Sequence, residues 1–201
     1  MKLYSSKASP FVRKVRITIA ELDLTDRVTE VFIPTSPLDS AAEIVAANPL
    51  GKIPALTRPD GPALYDSRVI TRYLDSLAGG RLYPESRLWE VLTLEATADA
   101  ICEAALAVTY EGRFRSEEMQ SREWTEAQWG KAARALVGIE DRWMSHLAGS
   151  LDAGQIALGC ALGYLDLRHA ARDWRAANPA LGAWYESFSA RPSMVATVPV
   201  G

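Results

Sequence analysis

The sequence predicts two domains of different class: a mixed α/β domain over residues 1–78 and an all-helical domain over 87–201, joined by a linker at 79–86. Three observations predict this. Before residue 80, short runs rich in β-branched residues alternate with helical patterns. The stretch "GGRLYPES" (79–86) is a break by composition. After it the strand signals stop, and apolar residues recur at helical spacing. A chain of 201 residues is long enough for two small domains with cores of their own.

The elements follow in order. "KLYS" (2–5) reads as a short strand. Residues 10–22 open with Pro10, a favoured first helical residue, and place Val12, Val15, Ile17, Ile19 and Leu22 in a mostly helical rhythm. "RVTEVFI" (27–33) alternates and is β-branched, which predicts a second strand. A weak helix over 40–47 ends at "NPLG". "IPALTR" and "PALYD" flank "PDG" and read as a hairpin. "SRVITRYLDSLA" (67–78) is a helix with Val69, Ile70, Tyr73, Leu74 and Leu77 on its inner face. The predicted order is βαβαββα.

In the second domain, Leu88, Val91, Leu92, Ala98, Ile101, Ala105 and Val108 run down one long helix. Trp129, Ala132, Leu136, Ile139, Trp143 and Leu147 mark another. "DAGQ" (152–155) supplies a capping box in which Asp152 caps the Gln155 N–H and the Gln155 side chain reaches back. The apolar helix it opens ends near "DLRH", and "NPALGAWYESFSARP" gives one more helix, stopped by Pro192.

Bulk composition excludes several functions. Hydrophobic residues make up 48% and charged residues 23%, the balance of a soluble globular protein. The net charge of −3 and a pI near 5.5 offer no basic surface for nucleic acid, and Lys and Arg are too scattered for a polybasic membrane patch. "MKLYSSKASP" lacks the apolar core of a secretion signal, and the apolar run Ile156–Leu165 is too short to span a bilayer. A cytoplasmic protein is expected. Cys102 and Cys160 stand far apart with no CxxC, so they read as two small buried hydrophobes, with neither a metal site nor a redox dithiol. His146 and His169 read as surface residues.

Three stretches carry chemistry. In "ASPFVRKVR" (8–16), Ser9 stands where a strand hands over to a helix opened by Pro10. Such a serine is either an N-cap or a ligand contact, because a helix start presents unpaired N–H groups and partial positive charge. In "NPLGKIPAL" (48–56), Pro54 heads a strand and cannot donate to a ladder. The main chain of Ile53 is then either part of an ordinary tight loop or a free edge that pairs a short peptide as an added strand. In "LYDSRVI" (64–70), Asp66 suits an ammonium, while Ser67 and the helical N–H groups suit a carboxylate. Helix capping is the alternative.

In this order and spacing, S-P-F after the first strand, K-I-P before the third and D-S opening the next helix resemble the glutathione site of the cytosolic glutathione S-transferase family. The resemblance covers essentially the full chain and is closest to bacterial, serine-type members carrying "SPFVRK", with "ALGYLDLR" (161–168) in the buried helix. It implies a thioredoxin-like βαβαββα domain followed by a helical bundle, and a cytoplasmic homodimer that conjugates glutathione to small hydrophobic electrophiles in detoxification.

Residue by residue, the resemblance implies that Ser9 is catalytic and that Phe11 belongs with it to the glutathione site. Lys52 then contacts the γ-glutamyl end, Ile53 offers a backbone pair to the cysteinyl unit, and Pro54 is a cis-proline. Asp66 and Ser67 hold the γ-glutamyl head. Tyr110, Arg113 and Trp174 are candidates for the electrophile site, and no metal is implied. Asp99 either reaches the peptide bound to a partner subunit or serves as a buried hydrogen-bonding group. Two departures stand out. Gln155 replaces a common Asp in the capping box, and Tyr4 lies before the turn, so no early tyrosine takes a catalytic role.

A free thiol titrates near ~8.5, so little of it is thiolate at neutral pH. A hydroxyl and helix N–H groups that donate to the sulfur favour the anion. Ser9 needs no general base in this role, because it acts as a donor. Two other classes compete with a transferase. A glutathione-dependent thiol reductase needs a nucleophilic sulfur where Ser9 stands, and a non-catalytic binding or scaffold protein would keep the site without turnover.

Overall fold

The computed structural model describes residues 1–200. Two compact units emerge: Met1–Leu88 together with the C-terminal segment from Pro192, and Trp89–Arg191.

The first unit is built on a four-stranded sheet in the order β2-β1-β3-β4. β1 (Lys2–Ser5) leads to α1 (Pro10–Glu21), β2 (Thr29–Phe32), α2 (Ala42–Ala47), the hairpin β3 (Ala55–Arg58) and β4 (Gly61–Leu64), and then α3 (Ser67–Leu77). β2 pairs parallel to β1, β3 antiparallel to β1, and β4 antiparallel to β3. Leu3 and Leu56, partners across β1 and β3, are fully buried. Val12, Val15 and Ile17 of α1 join Ile70 and Leu74 of α3 in the same core. Each such side chain contributes roughly 1.5–3 kcal/mol through burial.

The inner face of α3 is rotated from the expected stripe. Val69 and Leu77 are 46% and 37% exposed, while Ser67, Thr71 and Asp75 lie inside. Polar residues can face inward here because partners wait for them. Thr71 and Tyr83 share a hydroxyl–hydroxyl hydrogen bond of 2.7 Å, and the Asp75 carboxylate accepts the backbone N–H groups of Leu82 and Tyr83.

The second unit contains α4 (Leu88–Phe114, its first residue in the other unit), α5 (Arg122–Leu147), α6 (Ala153–His169), α7 (Trp174–Ala177) and α8 (Pro179–Ser189). The capping box forms: Gln155 N–H donates to Asp152 Oδ1 at 3.1 Å, and Asp152 N–H donates to Gln155 Oε1 at 3.0 Å. Gln155 also donates from Nε2 to the carbonyls of His146 and Leu147, at the end of α5. An aspartate at this position would lack that amide donor, so the glutamine ties α6 to α5 as well as capping it. Pro192 does more than stop a helix. It opens α9 (Pro192–Val195), as a proline at a first helical position can.

Both cysteines are buried. The two histidines are not surface residues. His169 is buried, and the largely buried His146 ring places Nε2 2.8 Å from Asp152 Oδ2. Among the described residues, no helix is long and apolar enough to cross a membrane, and no cluster of His, Cys, Asp or Glu is arranged to hold a metal ion.

Candidate functional site

Sheet register brings the predicted peptide-binding segments to one edge. Ala55 at the start of β3 stands opposite Tyr4 near the end of β1, so Ile53 and Pro54 lie beside the chain that leaves β1 for Ser9. Leu64 at the end of β4 stands opposite Leu56, so Tyr65 and Asp66 emerge at the same end. Antiparallel neighbours impose this, because the start of one strand must lie next to the end of the other. Ser9, Ile53 and Asp66 therefore stand at one end of the sheet.

Ser9 is extended (φ −78°, ψ 122°) and caps α1, its Oγ accepting the Val12 N–H at 3.3 Å. That bond uses a lone pair and leaves the hydroxyl proton available. Ser6 shapes the approach: its carbonyl accepts the Ser9 N–H and its hydroxyl accepts the Ala8 N–H. Phe11, in the first turn of α1, is half-buried.

Asn48 shapes the second segment. It is buried, donates from Nδ2 to the Lys52 carbonyl at 2.8 Å, and accepts the Leu50 N–H on Oδ1. Gly51 completes the loop at φ +64°, where an added Cβ would stand 2.5 Å from the Ser40 hydroxyl oxygen. Lys52 is exposed, and the Ile53–Pro54 bond is cis. Among the described residues, no hydrogen bond engages the backbone N–H or C=O of Ile53.

The Tyr65–Asp66 bond is also cis. Asp66 is the N-cap of α3. Its Oδ1 accepts the Arg68 N–H at 3.0 Å, and its Oδ2 pairs with the Arg68 guanidinium at 2.9 Å. Partial burial pushes the Asp66 carboxyl up. The Arg68 side chain, its charge and backbone N–H, and the Lys14 charge outweigh that effect and hold it below its ordinary 3.8. Ser67 follows in the first turn of α3 and is buried.

The electrophile candidates belong to the second unit and are not equivalent. Tyr110 is half-exposed near the end of α4, edge-on to Phe114 with ring centroids 5.1 Å apart, and the exposed Arg113 guanidinium stands 5.5 Å over Phe114. Burial raises the Tyr110 phenol above its ordinary value against the opposing charge of Arg113. Trp174 is only 3% exposed; its indole N–H donates to Asp166 at 2.8 Å and its ring packs edge-on to Tyr185. It is a core residue of its unit. Asp99 is likewise buried on α4.

The site residues that sequence reasoning passed over are Ser6, Asn48 and Arg68. The Asn48 signal was in view, because "NPLG" is turn chemistry. Arg68 gives no such signal: its pairing with a residue two positions earlier depends on the cap geometry of α3.

A thioredoxin-like sheet unit with this edge, together in one chain with an all-helical unit, defines a protein of the glutathione-transferase fold. Residues 8–77 match the glutathione S-transferase N-terminal domain and 122–187 the C-terminal domain. The chain is 31% identical to the uncharacterized GST-like protein YibF of Escherichia coli K12, over 99% of this chain and 98% of that one. It is 43% identical to a glutathione transferase family member from Pseudomonas fluorescens Pf-5 crystallised with glutathione, with a TM-score of 0.97 over 100% and 99% of the two chains. A second crystal structure of that description, with bound S-(propanoic acid)-glutathione, gives 42% identity and a TM-score of 0.92 over 100% of both chains. The chain belongs to the glutathione S-transferase family.

Proposed function

We propose that this protein is a glutathione transferase that conjugates the glutathione thiolate to small hydrophobic electrophiles. The observation that carries the reading is the edge where the unused main chain of Ile53 stands at the same end of the sheet as two helix starts, those of Ser9 and Asp66. A γ-glutamyl peptide offers a complement to each part. Its cysteinyl main chain can pair with Ile53, its ammonium can meet Asp66, and its carboxylate can meet Lys52, Ser67 and the N–H groups opening α3. Its thiol then falls to Ser9 and Phe11. The relatives crystallised with glutathione and with S-(propanoic acid)-glutathione support this, the second because a thioether is the kind of product that conjugation makes.

Ser9 stabilises the thiolate by donating its remaining proton, and the N-terminus of α1 adds positive potential. The electrophile is assigned to Tyr110 and Arg113, where an aromatic face and a cation are both accessible. The molecule is proposed to work as a homodimer. A groove of about 730 Å³ on α4 and α5, lined by Trp89, Leu92, Ala96, Ala100 and Ala135, is the apolar face offered to a second copy.

Two measurements test the function. Calorimetry with glutathione and with cysteinylglycine, which lacks the γ-glutamyl unit, should show tight binding of the first alone. Equal binding of both, or of neither, would sink the site assignment. A panel of electrophiles assayed with glutathione at several pH values should show conjugation that rises with the thiolate fraction. Binding without turnover across the whole panel would favour the scaffold reading.

A further inference from the structure

We infer that Arg13 is a positioning residue for Ser9, acting by clamping the C-terminal turn of the chain against α1. The inference rests on the reading of Ser9 given above, and all its parts lie in the first unit. Arg13 follows Ser9 by four residues, so at 3.6 residues per turn it stands roughly 40° around the helix and ~6 Å along it. The two are also joined directly, since the Arg13 N–H closes the first turn on the Ser9 carbonyl at 3.0 Å.

The Arg13 side chain is 4% exposed and points into the C-terminal segment. Nη2 donates to the Met194 carbonyl at 3.1 Å and Nε to Thr197 Oγ1 at 3.5 Å. Thr197 in turn donates to the Ser193 carbonyl at 2.7 Å, which closes the turn on itself. At the far end of α1, Glu21 accepts the Ser193 hydroxyl at 2.5 Å. The turn from Ser193 to Thr197 is thus tied to α1 at two points eight residues apart, and it opposes both rotation and sliding of the helix that carries Ser9.

Stability alone is a poor reason for this arginine. Among the described residues its hydrogen-bonded acceptors are a carbonyl and a hydroxyl, and its buried Nη1 meets no acceptor there. A buried cation held so incompletely costs free energy that an apolar side chain of similar volume would not. What the guanidinium adds is direction, because its planar fork fixes an angle that an apolar contact leaves free. The orientation of α1 sets where the Ser9 proton points, and a hydrogen bond to a thiolate weakens steeply as it bends.

The test uses the full chain with Arg13→Met and, separately, the double variant Ser193→Ala/Thr197→Val, which removes the tying hydroxyls but keeps the cation. Thiolate absorbance of bound glutathione is followed against pH, and amide exchange at Val12 and Arg13 is followed without glutathione. We expect affinity for glutathione within about 2-fold of wild type in both variants, a thiol titrating about one unit higher, and neutral-pH conjugation about 10-fold lower. Amide exchange at the start of α1 should quicken. A thiol curve superimposable on wild type, with only the melting temperature lowered, would mean that Arg13 merely supports the fold and would overturn the inference. Should Arg13→Met fail to fold, the double variant decides alone, and unchanged exchange and titration in it overturn the inference equally. Failure of the wild type to bind glutathione would strike the functional reading instead, and the exchange measurement would still judge the clamp.

Discussion

The Oγ of Ser9 accepts the backbone N–H of Val12 at 3.3 Å, so the residue proposed to serve the thiol also caps the helix that presents it. Accepting one hydrogen bond and donating another are compatible for a hydroxyl, and capping therefore does not compete with chemistry here. Ser9→Ala should show both losses. Stability should fall by about 1 kcal/mol from the missing cap. The bound thiol should titrate higher, and conjugation at neutral pH should drop about 10-fold for each pKa unit lost. Denaturant unfolding and thiolate absorbance measure the two separately. A stability loss without a titration change would reduce Ser9 to a cap.

Ser9→Cys should change the chemistry in kind. A sulfur at a helix N-terminus is favoured as thiolate and can attack a disulfide. This variant should form a mixed disulfide with oxidised glutathione, visible as added mass, while conjugation falls. If it conjugates as well as wild type, the donor role assigned to the hydroxyl is wrong.

Asp66 should be needed for glutathione affinity. Asp66→Ala should weaken binding by roughly 1–3 kcal/mol if its carboxylate meets the ammonium, and calorimetry reads this directly. The pH dependence has a definite sign. The folded carboxyl titrates below its ordinary 3.8, so its contribution to stability is complete above that value and disappears as pH falls through the folded one. Asp66 should therefore stay charged, and binding should persist, down to about pH 4. Loss of binding well above that point would require another titrating group.

His169 predicts an acid weakness in the second unit. Burial holds its imidazole below the ordinary 6.5, assisted by the charges of Arg172 and Arg168 and opposed by the bond from Nε2 to the Ala105 carbonyl at 2.9 Å. Between the folded and unfolded values only the unfolded chain takes up the proton, so stability falls as pH drops below about 6.5. His169→Gln should flatten that slope in urea unfolding carried out across the window. An unchanged slope would assign the sensitivity elsewhere.

The groove on α4 and α5 predicts assembly. Sedimentation at micromolar concentration should give about twice the 22.0 kDa chain mass. Trp89, 76% exposed, borders the groove, and the small, exposed Ala96 and Ala100 line it. Ala100→Arg should therefore yield a single-chain species with the helical content intact. A wild type that sediments only as one chain would contradict the interface.

What the sequence by itself determined was local. Pro10 after Ser9, the "PDG" between two short apolar runs, and the Asp152–Gln155 box each place a helix start or a turn from residues only a few positions apart. Their physics needs no distant partner, so α1, the hairpin and α6 were legible. The three candidate segments of the peptide site were legible as motifs for the same reason. Only the tertiary structure decided what depended on partners far along the chain. Asp75 and Thr71 face inward because Leu82 and Tyr83 return to meet them, which turns Val69 and Leu77 outward against their apolar pattern. His146 and His169 are enclosed because Asp152 and the Ala105 carbonyl stand beside them, and Trp174 can be buried because Asp166 takes its N–H. Arg13 gave no sign of its partner, the Met194 carbonyl, 181 residues away. Periodicity reports which side of a helix is apolar, but a buried polar group is stable only when a specific partner arrives, and that arrival is a property of the folded chain.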